Sequence, residues 1–230
     1  MFPHPRNGVL RTQAGAGSWG WLALRAMAAG LLCCVATNAA AQTRSYTLDP
    51  VHTRVMVAVD HAGFSRALGT VSGSTGTLRF DPEDWTSARL EARVPLQRLD
   101  LGDEDWNRAA LAASLLAAEK HPEAVFVTRS VEPLGTHRAR IHGELTLRGE
   151  TRPVTLETRL NALKRHPMPP FRRTAGFSAV GMLSRSDFGI TAWPGVIGDA
   201  VELRIEVEAV HDPDATLPGE DEHHAPGQQQ

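Results

Sequence analysis

Cysteine is scarce in this chain, and its placement limits how the fold can be stabilised. Only two of the 230 residues are cysteines, Cys33 and Cys34, and both lie in a small, apolar run near the N-terminus. The rest of the chain therefore has no thiol for a disulfide, a metal site or a cysteine nucleophile. A hydrophobic core has to stabilise the fold, and a domain of this length can supply one.

Sequence patterns typical of catalysis are also missing. There is no Gly-x-Ser-x-Gly motif, and none of the ten histidines belongs to a His-Glu-x-x-His zinc motif. His52 and His61 flank a predicted strand nine residues apart, and His223 and His224 lie in a polar tail beside acidic residues. A mobile tail explains the last pair more simply than a metal site does. We predict no catalytic residue, no resident metal and no cofactor.

Excess positive charge is lacking as well. The chain has 24 basic and 26 acidic residues, a formal net charge of −2, and the two signs are interspersed after residue 49. Binding to nucleic acid requires a clustered basic surface that neutralises phosphates. The sequence therefore predicts no nucleic-acid partner.

The N-terminal segment differs from the rest of the chain. It carries three arginines and no acidic residue before Asp49, then the apolar run of residues 26–36, then Ala39 and Ala41 in a small-x-small pattern. This order is typical of a secretory signal peptide, and we predict cleavage before Gln42. A membrane helix is the alternative, but the uninterrupted apolar run falls short of the ~20 residues that span a bilayer. The expected location is periplasmic or secreted.

Apolar and polar residues alternate along most of the chain from Ser45 to about Val210. In residues 201–208 every odd position is apolar and every even position is charged, as in a strand with one buried face. Similar patterns predict strands at residues 54–60, 70–80, 87–94, 124–132, 140–147, 153–160 and 175–183. Short turns such as residues 147–151, with Gly149 at the centre, favour antiparallel neighbours. The fold class is therefore all-β, a sandwich or a closed barrel.

Three segments interrupt this alternation. Residues 104–120 are rich in alanine and leucine, and Asp103 can cap them, so we predict one inserted helix that ends before Pro122. Residues 164–173 are basic and proline-rich, and we interpret them as a solvated connection or, alternatively, a contact surface. Residues 211–230 are polar and acidic and are predicted to be a disordered tail.

Candidate binding residues are aromatic or polar groups in or beside the predicted strands. If a strand continues through Asp187, this residue and Arg185 share a face and can form a charge pair, either as a structural ion pair or to orient a ligand headgroup. Core packing is the alternative role for each phenylalanine. The candidates are His61, Phe64, Phe80, Phe126, Phe177, Arg185, Asp187 and Phe188.

Seven short segments, read in order, resemble the YceI-like family of exported, lipocalin-like proteins. They are YTLDPVHTRV (46–55), HAGFSRALG (61–69), HPEAVF (121–126), GELTLRGETRP (143–153), GFS (176–178), RSDFGI (185–190) and DAV (199–201). The resemblance implies that residues 42–210 form an antiparallel lipocalin-like β-barrel of about eight strands around an elongated hydrophobic cavity. It also implies an amphiphilic isoprenoid-type lipid, such as an isoprenoid quinone, as the ligand.

Three functional hypotheses follow. The first is an exported binding protein that sequesters or carries a long amphiphilic lipid, as a monomer or homodimer, and contacts membranes only transiently during ligand exchange. The second is an enzyme acting on a lipid, with His52, His61, Arg185 and Asp187 converging. The third is an envelope stress or interaction protein with a filled barrel. The sequence favours the first, because neither a nucleophile nor a cofactor motif supports the second.

Overall fold

The computed structural model describes residues 43–218. The predicted signal peptide, residues 1–41, lies outside this range, and so does the predicted tail beyond residue 218. Within the described range, no helix combines the length and apolar character needed to cross a membrane.

Strands make up most of the described chain. They are β1 (Arg44–Leu48), β2 (Arg54–His61), β3 (Ser65–Ser72), β4 (Thr75–Phe80), β5 (Arg89–Pro95), β6 (Leu99–Asp100), β7 (Glu123–Pro133), β8 (Arg138–Leu147), β9 (Glu150–Arg165), β10 (Arg173–Ser184) and β11 (Ile197–His211). One α-helix, α1 (Glu104–Leu111), and three short 3₁₀ helices, Trp85–Ser87, Leu96–Arg98 and Arg185–Phe188, complete the described elements.

The strands close into a barrel in which two of the long strands are each interrupted by a short break. Both β1 and β2 pair antiparallel with β11, so they form one long strand broken at residues 49–53. In the same way β4 pairs with β1 and β3 with β2, which makes a second long strand broken at residues 73–74. Together with β5, β7, β8, β9, β10 and β11, these two interrupted strands form an eight-stranded closed antiparallel barrel. The predicted fold class is confirmed.

The second interruption corrects one predicted strand. Residues 70–80 were expected to form a single strand, but β3 ends at Ser72 and β4 begins at Thr75. Gly73 has a φ of 79°, which favours glycine, and its N–H donates to Pro50 O at 3.1 Å. The two breaks are therefore hydrogen-bonded to each other across neighbouring strands of the barrel.

The inserted helix is shorter than predicted. Its start agrees, since the Asp103 carboxylate accepts from Trp106 N at 3.0 Å, but α1 ends at Leu111 rather than Lys120. The chain then forms successive turns, in which Ala118 N donates to Leu111 O at 3.0 Å. Ala118 is fully buried here, and Leu115 and Leu116 pack on the same core cluster. This packing of a folded-back segment outweighs the helix propensity of its alanines and leucines.

The final strand ties the end of the described chain to its beginning. β11 continues to His211, which pairs with Tyr46, and Asp212 N donates to Ser45 O at 3.0 Å. The first two residues of the segment predicted as a tail are therefore hydrogen-bonded to β1.

The barrel interior contains two clusters of buried apolar residues. One of them is aromatic: the Phe80 ring lies 5.0 Å from the Trp85 ring and 5.2 Å from the Phe177 ring, both edge to face. The other is mainly aliphatic and includes Leu147, Leu156 and Leu203. Because inward and outward residues alternate along each strand, both clusters face the barrel axis.

Candidate ligand cavity

A cavity of about 290 Å³ lies inside the barrel between and along these two clusters. Its wall is built from the inward positions of the strands, so nearly every lining side chain is apolar. Phe177 and Leu183, six residues apart on β10, both line it, and six residues of strand span about 20 Å. The cavity is therefore elongated. Its aliphatic lining includes Val57, Val71, Leu90, Val94, Leu145, Leu156, Ile190, Leu203 and Ile205.

The two ends of the cavity differ in the residues that line them. At one end Phe80, Trp85 and Phe177 present their rings, and at the other Leu116 and Ile190 come from the segments after α1 and β10. Leu116 reaches the wall because the chain folds back after α1. The segment that the sequence assigned to a longer helix therefore covers part of the barrel.

Four hydroxyl side chains interrupt the apolar lining: Thr53, Ser74, Thr128 and Thr158. Ser74 Oγ and Thr158 Oγ1 are buried and have no hydrogen-bond partner among the described residues. Their residues are only 1% and 7% exposed. A buried hydroxyl without a partner is costly, so these two groups are available to a polar ligand atom that enters the cavity.

The only buried charged side chain in the lining is Arg185, and backbone carbonyls occupy its guanidinium. Its Nε donates to Gly198 O at 2.9 Å, its Nη1 to Ile190 O at 2.6 Å and its Nη2 to Ile197 O at 2.8 Å. The bonds to Ile197 and Gly198 attach the turn after β10 to the first residues of β11, and the bond to Ile190 lies within the segment that follows β10. The guanidinium thus closes one corner of the barrel.

The predicted charge pair between Arg185 and Asp187 is wrong. The strand stops at Ser184, and residues 185–188 form a 3₁₀ helix that buries Arg185 and exposes Asp187. Asp199 instead accepts from the Ser184 hydroxyl and, at 3.0 Å, from Ser186 N. The prediction continued the two-residue alternation of a strand into residues 185–188, where a 3₁₀ helix has a period of about three residues.

Comparisons with known proteins agree with this geometry. A family model described as a YceI-like domain matches residues 46–209. The chain belongs to the YceI-like family. Protein YceI of Salmonella arizonae and that of Salmonella paratyphi B are each 32% identical to it over 176 residues, covering 76% of this chain and 91% of theirs.

Solved structures show the same fold. BcnA of Burkholderia cenocepacia superposes on this YceI-like protein with a TM-score of 0.63 at 21% identity, covering 70% of this chain and 98% of BcnA. A domain of Saccharophagus degradans, described as polyisoprenoid binding, gives a TM-score of 0.57 at 11% identity and covers 74% and 99% of the two chains.

Of the predicted binding residues, Phe80, Phe126, Phe177 and Arg185 line the YceI-like cavity. Phe188 is buried in the aliphatic core cluster and is not part of the lining.

His61, Phe64 and Asp187 are not brought to the cavity. Phe64 is 92% exposed in the turn between β2 and β3, because Ala62 and Gly63 turn the chain with positive φ before the ring. The His61 ring lies 5.3 Å from the Trp106 ring on α1. His52 precedes β2 and His61 ends it, so the whole strand separates two of the four side chains that the enzyme hypothesis brings together.

Sequence reasoning missed the hydroxyls and one aromatic ring. Thr158 could have been found, because it occupies an inward position between Leu156 and Leu160 on β9. Ser74 could not, since it lies at a break between strands where period two carries no information. Trp85 lies in a 3₁₀ helix that Asp84 caps, outside the predicted strands.

Away from the cavity lining, Asp49, His52 and Glu208 place three possible metal-ligating atoms within 4.8 Å of one another. Asp49 Oδ1 accepts from Val51 N at 2.8 Å, and Asp49 Oδ2 lies 2.8 Å from His52 Nδ1. This carboxylate therefore already organises the turn between β1 and β2.

The same contacts shift both titrations. The hydrogen bond to Asp49, and then the negative charges of Asp49 and Glu208, raise the pKa of His52 above its ordinary value. Burial acts to raise the pKa of Asp49, but hydrogen bonds from the His52 ring and from the backbone of Val51 and His52 together outweigh it, so that pKa is lowered. The protonated imidazole and the ionised carboxylate form a pair on the barrel surface.

Proposed function

We propose that this protein binds one long amphiphilic lipid inside the barrel and sequesters or carries it. The observation behind the proposal is the elongated cavity, which has an almost entirely apolar lining and two unpartnered hydroxyls. Burial of apolar area contributes about 25 cal/mol per Å². A chain that buries roughly 300 Å² therefore gains roughly 7 kcal/mol from burial, from which the cost of association has to be subtracted.

The lining favours a neutral headgroup over a phosphate or a carboxylate. Binding an anion strongly requires free cationic donors. Arg185 donates three hydrogen bonds to backbone carbonyls, and Arg89, at the exposed edge of the lining, donates to Thr86 O and Ala88 O. Ser74 and Thr158 offer neutral donors that suit a carbonyl or hydroxyl oxygen.

These features support an isoprenoid or isoprenoid quinone as the ligand. The polyisoprenoid-binding description of the structurally similar Saccharophagus degradans domain agrees with that choice. Branched isoprenoid chains need a long, wide apolar cavity and no charged partner along their length. The ligand then binds through burial of its tail, while its headgroup is oriented by hydroxyls.

The cavity favours a binding role over the two alternatives. A filled barrel would leave no space of this size, and the four side chains of the enzyme hypothesis do not meet. Export also belongs to the proposal: the order of residues in the N-terminal segment supports a cleaved signal peptide and a periplasmic or secreted protein. A binding protein in that compartment can move lipid across an aqueous space.

Native mass spectrometry tests the proposal on protein purified without detergent, before and after incubation with isoprenoid quinones. We expect a discrete added mass that is extracted into organic solvent. The substitution A179F places a ring in the cavity, because Ala179 is buried and lines it, and should abolish the added mass. V180F is the matched control, since Val180 is the next residue on β10 and faces outward. An empty wild-type spectrum after incubation, or equal occupancy of A179F, would reject the proposal.

A further inference from the structure

The connection between β9 and β10 has no role in the cavity, yet its composition is distinctive. Residues 164–173, here named the basic loop, contain Lys164, Arg165, Arg172 and Arg173 and no acidic residue. Two apolar side chains in the loop are exposed, Met168 by 63% and Phe171 by 51%. Neither side chain contributes to a core cluster.

The hairpin brings the four positive charges together. Arg173 pairs directly opposite Arg165, and Thr174 opposite Lys164, where β9 and β10 meet the loop. Like charges in directly opposed positions destabilise a sheet. Within residues 43–218, no ion pair or side-chain hydrogen bond to any of these four cations is found, and the Arg173 Nε is buried without a partner. The local fold thus concentrates positive charge and does not neutralise it.

The loop backbone holds its apolar side chains at the surface. Phe171 N donates to Met168 O at 2.9 Å, and His166 N donates to Arg172 O at 2.8 Å, so both ends of the turn are closed. Phe171 has a φ of 57°, a left-handed conformation that is unfavourable for a bulky residue. The strained position projects a phenyl ring into solvent, and strain of this kind is concentrated at functional sites.

Neighbouring elements extend this basic and apolar surface. Leu134, in the turn between β7 and β8, is exposed, and close to it Arg138 pairs opposite Arg159. The nearby acidic Asp212 accepts from the Thr47 hydroxyl, at 2.8 Å. This end of the barrel therefore combines several cations with three exposed apolar side chains.

We propose that the basic loop is a docking surface for anionic lipid bilayers. Met168 and Phe171 enter the headgroup region, while the four cations contact lipid phosphates. Each cation near an anionic membrane surface strengthens binding about fivefold, and apolar side chains at loop tips add to it. Charge complementarity selects this partner, because a neutral surface would gain nothing from four adjacent cations. The biological reason rests on the proposed function, since a lipid carrier has to meet the membrane that holds its ligand.

Vesicle flotation tests the proposal with the full chain and phosphatidylcholine vesicles made with or without phosphatidylglycerol. We expect binding to the anionic vesicles, with at least a tenfold loss in K164Q/R165Q/R172Q/R173Q and a smaller loss in M168S/F171S. R108Q/R129Q/R152Q/R204Q is the matched control, because it removes the same charge from arginines that are exposed, or half-buried in the case of Arg152, and that lie outside this end of the barrel. Thermal unfolding of each variant verifies that it is folded.

Equal binding of the basic-loop variant and the control variant would overturn the proposal, as would equal binding of the wild type to neutral vesicles. Lipid occupancy, measured by native mass spectrometry on the same proteins, separates this proposal from the proposed function. We expect the loop variant to retain its added mass while it loses vesicle binding. A protein that binds anionic vesicles through the loop but holds no lipid would reject the carrier role alone.

Discussion

At the scale of single residues, polar side chains in this barrel either complete the backbone or remain free for a ligand. Arg185 illustrates the first role, because three of its donors are bonded to backbone carbonyls and hold the guanidinium against the turn after β10. Ser74 and Thr158 illustrate the second. Arginine, which often recognises a charged headgroup, therefore stabilises a backbone turn here. The hydroxyls of Ser74 and Thr158 are the candidate contacts for a headgroup instead.

The Asp49–His52 pair gives a prediction about pH. Because the folded-state pKa of His52 is raised above 6.5, the pair contributes stability below pH 6.5 and loses it as pH rises through that folded pKa. The lowered pKa of Asp49 means that the contribution is also lost as pH falls below about 3.8. We expect H52Q to reduce the free energy of unfolding more at pH 5 than at pH 8 in urea titrations, by less than about 1 kcal/mol because the pair is exposed.

A double-mutant cycle isolates this effect. In a D49N background the substitution H52Q should show a much smaller pH-dependent cost, because the hydrogen bond and charge of Asp49 that contribute most to the raised His52 pKa are removed and only the charge of Glu208 remains. If H52Q costs as much at pH 8 as at pH 5, the pair does not contribute through its charges, and the turn between β1 and β2 depends on backbone hydrogen bonds alone.

At the scale of elements, the sequence pattern predicted the strands and helix ends that do not depend on contacts between distant parts of the chain. The alternation in β11 and β9 could be read from the sequence, because one face of each strand meets a continuous core. The break at Gly73 could not be predicted, because it depends on a hydrogen bond to Pro50 in the break of the neighbouring strand. The helix after Asp103 was overextended for a related reason: burial of Ala118 by tertiary contacts ends α1 where propensity would continue it. Alternation also could not predict which side chains face the cavity in turns at strand ends, such as residues 185–188.

Pairing between β4 and β5 depends on a close approach at Gly76. A Cβ atom at this position would lie 2.2 Å from Glu91 O and 2.9 Å from the Ala92 Cα, both backbone atoms that cannot rotate away. Gly76 also has a φ of 155°. We expect G76A to lower the free energy of unfolding by at least about 2 kcal/mol in urea titrations, because two strands have to separate locally.

Gly195 provides the comparison for that substitution. A Cβ atom there would meet nothing within 4 Å, so G195A should change stability by less than about 0.5 kcal/mol. A similar loss of unfolding free energy in the two variants would mean that the β4–β5 contact can relax and that the barrel tolerates a wider spacing between these two strands.

At the scale of the whole molecule, an eight-stranded barrel with an apolar space along its axis gives up packing that a filled core would have. Cavities of this kind reduce stability because the lining side chains lose dispersion contacts. A ligand that fills the space restores them and binds only the folded state. The protein's stability should therefore depend on whether it is loaded, and a fold without cysteines in its described part has no covalent constraint to mask that dependence.

Thermal unfolding of loaded and delipidated protein measures this coupling. A ligand present at about 100 times its dissociation constant stabilises the folded state by about 2.7 kcal/mol, which raises the Tm of a domain of this size by several degrees. We expect the Tm of the delipidated wild type to rise when an isoprenoid quinone is added back, and that of A179F to stay unchanged because the new ring occupies the site. V180F should respond like the wild type. A rise of equal size in A179F would place the stabilising site outside the barrel, and the carrier function would then have to be assigned to another surface.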